Sequence, residues 1–289
     1  MKEHDSLRSI RHLIIDMDGV LYRGKEAIPG TGPFLEFLRR QGIGFVLATN
    51  NSTKTPAQYV EKLAGMGVIV QADEILTSAQ ATASYLSRIA PPGTRLFVVG
   101  MDGLWTALRD AGFDLVEEAA EYVVVGMDFT VCYDRLARAA LHIRAGARFI
   151  GTNPDRTFPS EQGIVPGNGA LLAFLEAATG IEPIVIGKPE VAMMEQAMVR
   201  LGAEPATTAV LGDRLETDVL AGRRAGLFTI LVLSGVTDRT MLAGAELQPD
   251  WVFEDVRHLH RVWQTVIEPG VATDGRADCT VRSDLSATR

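Results

Sequence analysis

Three observations predict an α/β fold in which helices cover both faces of a mostly parallel sheet. Short runs rich in Val, Ile and Leu alternate with longer segments of helical periodicity. Most of these apolar runs end in Gly, Asp, Thr or Lys. The 289 residues, 47% of them hydrophobic, are enough for one large domain or two moderate ones. We therefore expect a doubly wound, Rossmann-like sheet core.

The apolar runs predict eight strands. Ligands of open parallel sheets bind at the carboxyl ends of strands, so polar residues at these ends are candidates for function. The predicted strands are 13–16, 45–49, 96–100, 122–127, 148–152, 184–188, 209–213 and 228–233.

Local signals predict where two helices begin. Thr55 followed by Pro56 indicates a capped helix with proline in its first turn. Pro189 predicts the opening of a second helix, and Gly202 predicts its end.

Composition excludes several classes of protein. A net charge of −8 without a basic cluster argues against binding a nucleic-acid polymer. Cys132 and Cys279 lie far apart and suggest no disulfide framework. No signal-peptide pattern and no run of about 18 apolar residues is seen, so we expect a cytoplasmic protein without a membrane span. The polar segment 268–289 predicts a disordered tail.

Asp16 and Asp18 directly follow an apolar run and precede Gly19. Two unit charges about 4 Å apart repel by about 4 kcal/mol at an effective dielectric constant of about 20. Such a pair therefore binds a cation or keeps one member protonated. A solvated Asx turn at the end of a strand would explain the same residues.

A second run of polar residues, Thr49, Asn50, Asn51 and Ser52, follows the strand at 45–49. A turn of this composition can direct backbone N–H groups, a hydroxyl and an amide at one anion. Helix capping would explain Thr and Asn here equally well.

Three further charged residues lie at or near predicted strand ends. Lys188 ends one strand, Asp213 ends another, and Asp218 lies about one helical turn after Asp213. Taken singly, Lys188 would fit a solvated surface lysine, and the two acids would fit helix caps.

In this order, the four segments resemble the motifs of the haloacid dehalogenase superfamily: Asp-x-Asp-Gly, a Ser or Thr at a strand end, a Lys, and Gly-Asp followed by another Asp. The resemblance is narrower to its nitrophenylphosphatase-like, NagD-like branch and covers roughly residues 10–265. It is carried by DMDGVLYRG (16–24), IPG (28–30), TNNS (49–52), TNPDRTFPSEQGIVPGNGA (152–170), IGKP (186–189) and GDRLETDVLAG (212–222).

The resemblance implies a Mg²⁺-dependent phosphatase that acts on a small phosphorylated metabolite. Asp16 would be the nucleophile that forms an aspartyl-phosphate, and Asp18 the general acid and base. Mg²⁺ would be held by Asp16, the backbone carbonyl of Asp18 and Asp213, with Asp218 behind them.

Other residues would contact the phosphate. The resemblance implies that Lys188 neutralises the transferring oxygens and that Thr49 and Asn50 donate hydrogen bonds to them. Asn51 is a further candidate for binding the substrate.

A cap inserted between the second and third motifs is also implied. It divides the chain into core (1–80 and 187–267), cap (81–186) and tail (268–289), with hinges near 77–82 and 184–188. The loop 152–170 is our candidate for reading the substrate, through Asn153, Asp155 and Asn168; a purely structural role of this Gly- and Pro-rich loop would fit as well. A homodimer formed through the cap is plausible by analogy.

Two alternatives share part of this pattern. A phosphotransferase or mutase of the same superfamily would usually carry a small helical cap soon after the first motif. Only about 28 residues separate Gly19 from the next strand end, which are too few for such a cap. A receiver-like module that signals through a phosphorylated Asp16 would lack Asp18, the TNNS segment and the middle of the chain.

Overall fold

The computed structural model describes residues 5–160 and 163–267, so the predicted tail and Cys279 lie outside the described residues. The strands in chain order are β1 (His12–Ile15), β2 (Tyr22–Arg23), β3 (Glu26–Ala27), β4 (Gly44–Thr49), β5 (Ile75–Thr77), β6 (Arg95–Val99), β7 (Asp114–Leu115), β8 (Tyr122–Val125), β9 (Arg148–Gly151), β10 (Thr157–Ser160), β11 (Gly163–Pro166), β12 (Ile184–Val185), β13 (Thr208–Gly212), β14 (Phe228–Val232) and β15 (Trp251–Phe253). The α-helices are α1 (Thr31–Arg40), α2 (Pro56–Ala64), α3 (Ser78–Ile89), α4 (Asp102–Asp110), α5 (Tyr133–Arg144), α6 (Asn168–Thr179), α7 (Val191–Leu201), α8 (Leu220–Arg224), α9 (Arg239–Gly244) and α10 (Val256–Ile267).

The first sheet is parallel throughout, with the strand order β15-β14-β13-β1-β4-β5. In this order β1 lies between β13 and β4, and Ile15 pairs with both Leu211 and Leu47. The residues that follow these three strands therefore meet at one edge of the sheet.

Helices cover both faces of this sheet, as the doubly wound prediction requires. Leu13 and Ile15 of β1 point into a core formed with α1, α2 and α10, which includes the buried ring of Trp263. Ile14 points to the opposite face, where it joins Met194 of α7 in a second core. The alternation along β1 is the one expected for a strand buried on both sides.

A second parallel sheet, with the order β12-β9-β8-β6-β7, is inserted between β5 and β13. The antiparallel hairpin β10-β11 follows β9. One buried cluster continues from Ile14 of the first sheet, through α3 and α7, to Val98 and Ile150 of the second. The α/β fold with an inserted cap is thus confirmed. The predicted cap boundaries at residues 81 and 187 and the predicted hinges stay predictions. Residue 81 lies inside α3.

Local predictions had mixed outcomes. Thr55 does cap α2: its hydroxyl accepts the Gln58 N–H at 3.2 Å, and the Gln58 side chain accepts the Thr55 N–H at 2.8 Å. Gly202 ends α7 in a left-handed conformation with φ of 58°. The prediction that Pro189 opens this helix is wrong, because α7 begins at Val191, after the N-cap residue Glu190.

The predicted strand 184–188 is corrected as well. Only Ile184 and Val185 form a strand, and they pair with β9 in the second sheet. The following residues leave the sheet and carry Lys188 towards the edge of the first one.

Cys132 is a free, exposed cysteine. Within residues 5–160 and 163–267, no helix has the length and apolar character needed to cross a bilayer.

Candidate active site

Asp16 and Asp213 lie beside each other where two neighbouring strands end. Asp16 directly follows β1, and its N–H donates to the carbonyl of Leu211 at 2.8 Å. Asp213 follows β13 and accepts a hydrogen bond from the N–H of Val236 at 2.7 Å. Glycine is needed around Asp213: a Cβ built on Gly235 would lie 1.9 Å from its carboxylate.

Asp218 completes an acidic cluster. It lies in a π-helical turn, Leu215–Val219, directly before α8. One carboxylate oxygen from each of Asp16, Asp213 and Asp218 lies within 4.8 Å of the other two. Oxygen ligands at this spacing suit a hard divalent cation such as Mg²⁺.

The electrostatics of the cluster also favour a bound cation. Burial raises the pKa of Asp213 to about 7, and the nearby Asp218 contributes to the rise. Burial likewise raises the pKa of Asp16 well above its usual range; Asp218 and Asp213 add to this effect, and Lys188 opposes it. A cation among these carboxylates would stabilise their charged forms.

Lys188 is the cation that this chain itself supplies. Its ammonium group donates to Asp16, to Asp218 at 2.6 Å, and to the carbonyl of Ala48 at 3.1 Å, so all three of its N–H groups have acceptors. Its side chain is only 3% exposed. Burial alone would lower the pKa of Lys188, but Asp16 and Asp218 outweigh burial and raise it.

Asp18 differs from these acids because it is exposed to the cavity. The hydroxyl of Tyr22 donates to Asp18 at 2.8 Å, and Tyr22 itself is fully buried. The ammonium of Lys62 lies 3.7 Å from the centre of the Tyr22 ring. Asp18 is therefore held at the mouth of the site, where a carboxyl group can exchange protons with a bound molecule.

The turn after β4 is shaped by its own side chains. The Asn51 N–H donates to the Thr49 hydroxyl at 3.1 Å, and the Asn51 side-chain carbonyl accepts the N–H of Thr53 at 2.9 Å. Thr49 and Asn51 both line the cavity beside Asp16.

The side-chain amide of Asn50, whose donation to a phosphate stays a prediction, bonds to protein groups. Its side-chain oxygen accepts the N–H of Lys188 at 2.8 Å, and its side-chain nitrogen donates to the Lys188 carbonyl at 2.9 Å and to Asp155 at 3.1 Å. Both ends of the amide are thus occupied by protein groups. This arrangement favours a role in holding Lys188 over direct contact with substrate.

The loop candidates are also tied into the protein. Asn153 donates to the carbonyl of Asn50 at 2.8 Å, and Asn168 donates to the carbonyl of Asn153 at 2.8 Å. Both residues are at most 3% exposed. Burial raises the pKa of Asp155, and the hydrogen bond from Asn50 partly opposes this rise. The geometry fits the structural role left open for Asn153 and Asn168.

Comparison with known proteins identifies the family. The model of the family described as haloacid dehalogenase-like hydrolase matches residues 13–114, and a HAD-hydrolase-like model matches residues 185–259. An acid sugar phosphatase of Staphylococcus epidermidis is 42% identical over 244 residues, which are 84% of this chain and 94% of the relative. The chain belongs to the haloacid dehalogenase-like hydrolase family.

Solved structures agree with this assignment. A 4-nitrophenylphosphatase of Thermotoga maritima superposes on the hydrolase with a TM-score of 0.85 and 37% identity, over 89% of this chain and 98% of the other. NagD from E. coli K-12 does so with a TM-score of 0.81 and 36% identity, over 86% and 97% of the two chains. The predicted membership of the NagD-like phosphatase branch is thereby confirmed.

One cavity of about 980 Å³ unites the candidate residues of this hydrolase. The predicted residues that line it are Asp16, Asp18, Thr49, Asn50, Asn51, Asn153, Asp155, Asn168, Lys188, Asp213 and Asp218. The sequence therefore predicted which residues converge, while their individual roles stay predictions.

The sequence reasoning missed other residues of the hydrolase cavity. Arg214 directly follows Asp213; burial opposes its charge, but Asp213 and Asp155 outweigh burial and raise its pKa. Its position inside the GDRLETD segment was a usable signal. The further missed residues include Lys25, Lys54, Glu61, Lys62, Met66, Met127 and Phe158.

Proposed function

We propose that this chain hydrolyses small sugar phosphates and related phosphate monoesters through an aspartyl-phosphate on Asp16. The contact of Lys188 with both Asp16 and Asp218, beside Asp213 in one cavity, is the observation that carries the proposal. The name of the S. epidermidis relative, acid sugar phosphatase, supports the substrate class. The cytoplasmic location and a homodimer formed through the cap stay predictions.

Asp16 acts as the nucleophile in the first step. A carboxylate oxygen of Asp16 forms a bond to phosphorus while the bond from phosphorus to the ester oxygen breaks. Asp18, exposed beside it, gives its proton to the departing oxygen. In the second step a water oxygen forms a bond to the same phosphorus while the bond from phosphorus to the Asp16 oxygen breaks. The water gives a proton to Asp18, inorganic phosphate is released, and the free Asp16 carboxylate is restored.

The protein also has to manage the charge of the phosphate. Lys188 presents a positive charge next to Asp16, and Thr49 and Asn51 line the same part of the cavity with a hydroxyl and an amide. Asp16, Asp213 and Asp218 fit Mg²⁺ by the spacing of their oxygens. Burial raises the pKa of Asp16 and of Asp213, so a cation would stabilise carboxylates that are otherwise disfavoured. When bound, Mg²⁺ would neutralise negative charge on the phosphate oxygens.

Hydrolysis of p-nitrophenyl phosphate tests the function directly. We expect repeated turnover in the presence of Mg²⁺, reversible loss of turnover with EDTA, and recovery when Mg²⁺ is returned. Mg²⁺ in excess should also raise the melting temperature, because a ligand at about 100 times its dissociation constant adds about 2.7 kcal/mol of stability. Asp213→Asn should remove most of this shift.

The test has outcomes that contradict the proposal. A receiver-like protein would label itself once without turnover. Activity that persists in EDTA, together with a melting temperature insensitive to Mg²⁺, would remove the metal assignment.

Asp18→Asn should lower kcat by about 10²–10⁴, because it removes the general acid and base. The amide can still accept the hydrogen bond from Tyr22, so we expect the fold to persist. The loss should be larger for an alkyl phosphate such as glycerol 3-phosphate than for p-nitrophenyl phosphate, whose leaving group needs less protonation. Steady-state kinetics on both esters measure this difference, and equal losses would argue against proton transfer by Asp18.

A further inference from the structure

Lysine is distributed unevenly in this chain. Only 5 of its 28 Lys and Arg residues are lysines, so arginine supplies most of the positive charge. Four of the five lysines line the single cavity that holds Asp16: Lys25, Lys54, Lys62 and Lys188. The fifth, Lys2, lies outside the described residues. A compact ammonium group is thus placed mainly where the substrate binds.

Lys188 already has a role beside the nucleophile, but Lys54 and Lys62 lie elsewhere in the cavity. The ammonium of Lys62 sits over the ring of Tyr22, whose hydroxyl binds Asp18. Asp18 is the group that meets the departing oxygen in the proposed function, on which this inference rests. Lys62 therefore lies on the side of the leaving group, away from the phosphoryl contacts of Lys188.

Lys54 lies near Lys62, in the turn between β4 and α2. Both side chains line the cavity that holds Asp16. Burial lowers the pKa of Lys62, the positive charge of Lys54 lowers it further, and Asp18 opposes both effects. The turn is fixed by α4 of the cap: the N–H of Gly103 donates to the carbonyl of Thr53 at 3.1 Å, and a Cβ on Gly103 would lie 2.5 Å from the carbonyl oxygen of Lys54. Lys54 is thus held where the cap meets the core.

Asp18 is the one acid that raises the pKa of Lys62, and it does so without a direct ion pair among the described residues. Among residues 5–160 and 163–267, neither Lys54 nor Lys62 forms an ion pair, although Glu61 lines the same cavity. Lys62 is partly buried and Lys54 is exposed. An anion between the two would offset the repulsion of their positive charges and the hydration that Lys62 loses on burial.

We propose that Lys54 and Lys62 form a second anion-binding subsite, so that the preferred substrate is a phosphate monoester whose organic part carries another anionic group, a carboxylate or a second phosphate. The subsite selects esters whose leaving group carries a negative charge. A neutral sugar or a nitrophenyl group has no such charge for the two lysines to bind. Hydrogen bonds to charged groups are worth enough to change kcat/KM by about 10- to 100-fold.

Pairs of esters that differ in one charged group test the subsite. The carboxylate pair is 3-phosphoglycerate with glycerol 3-phosphate, and the phosphate pair is fructose 1,6-bisphosphate with fructose 1-phosphate. For at least one pair, we expect wild-type kcat/KM to be about tenfold or more higher for the more anionic ester. Which pair shows the preference decides between the two anions.

Lys62→Met and Lys54→Met keep much of the apolar stem and remove the charge. Each should lower kcat/KM for the preferred anionic ester by about 10- to 100-fold and reduce the ratio within its pair by a similar factor. Arg40→Met is the matched control, because Arg40 is an exposed cation that does not line the cavity; it should leave the ratio unchanged. Melting temperatures check that all variants are folded.

The contrary outcomes are distinct. Equal wild-type kcat/KM within both pairs would overturn the subsite. So would equal losses for charged and neutral esters in Lys62→Met, since Lys62 would then act on every ester, through Asp18 or by attracting phosphate in general. Failure of the wild type to hydrolyse any ester, p-nitrophenyl phosphate included, would instead refute the proposed function and the subsite with it.

Discussion

Asp16→Asn should abolish steady-state hydrolysis, with a fall in kcat of at least about 10⁴, because an amide cannot form the aspartyl-phosphate. The fold should persist for two reasons. Burial and the neighbouring Asp218 and Asp213 disfavour the charged form of Asp16. Lys188 also keeps its ion pair with Asp218 and its hydrogen bond to the carbonyl of Ala48 in this variant. Phosphate release and the melting temperature measure the two parts of this prediction.

A control variant and direct detection of the phosphorylated residue complete the experiment. Asp110→Asn removes one exposed carboxylate from α4, outside the cavity, and should behave as wild type. Acid quenching of the wild type during turnover should add the mass of one phosphoryl group to the peptide that contains Asp16. Retained turnover in Asp16→Asn, or a label on another residue, would exclude Asp16 as the nucleophile.

The residues of the site could be predicted because parallel strands bring their ends together. Asp16, Thr49 and Asp213 follow β1, β4 and β13, three neighbours in the first sheet. The apolar runs locate these strands, and the resemblance of the segments at their ends to the four motifs of the superfamily implies that they meet at one edge of the sheet. Short edge strands such as β5 and β15 escaped prediction because three residues give no usable period.

Lys188 shows the limit of that reasoning. Its position at the site was predicted from the end of a strand over 184–188, whereas only Ile184 and Val185 form a strand, β12, which pairs with β9 in the second sheet. The backbone of Lys188 is instead held by the Asn50 side chain, 138 residues away in sequence. Contacts of this kind depend on tertiary packing, and so do those between Tyr22, Asp18 and Lys62.

Lys188→Met should inactivate the enzyme and weaken its fold at neutral pH. The variant leaves the carboxylates of Asp16 and Asp218 facing each other without the ammonium that binds both. Removing one partner of a buried ion pair typically costs about 3–5 kcal/mol. Losing a positive charge beside the transferring phosphate should lower kcat by about 10²–10³ or more. Urea unfolding in EDTA and steady-state kinetics measure the two effects.

The pH dependence of this loss separates electrostatics from packing. Burial already raises the pKa of Asp16, and Lys188 opposes that rise, so the pKa should be still higher in Lys188→Met. A carboxyl whose pKa is raised by folding contributes stability that is present below its unfolded pKa and is lost as the pH rises through the folded pKa. The difference in unfolding free energy between wild type and variant should therefore shrink as the pH falls from about 8 to about 5. A difference that stays constant over this range would mean that Met fails to fill the space of the lysine stem, and that repulsion between Asp16 and Asp218 contributes little to the loss.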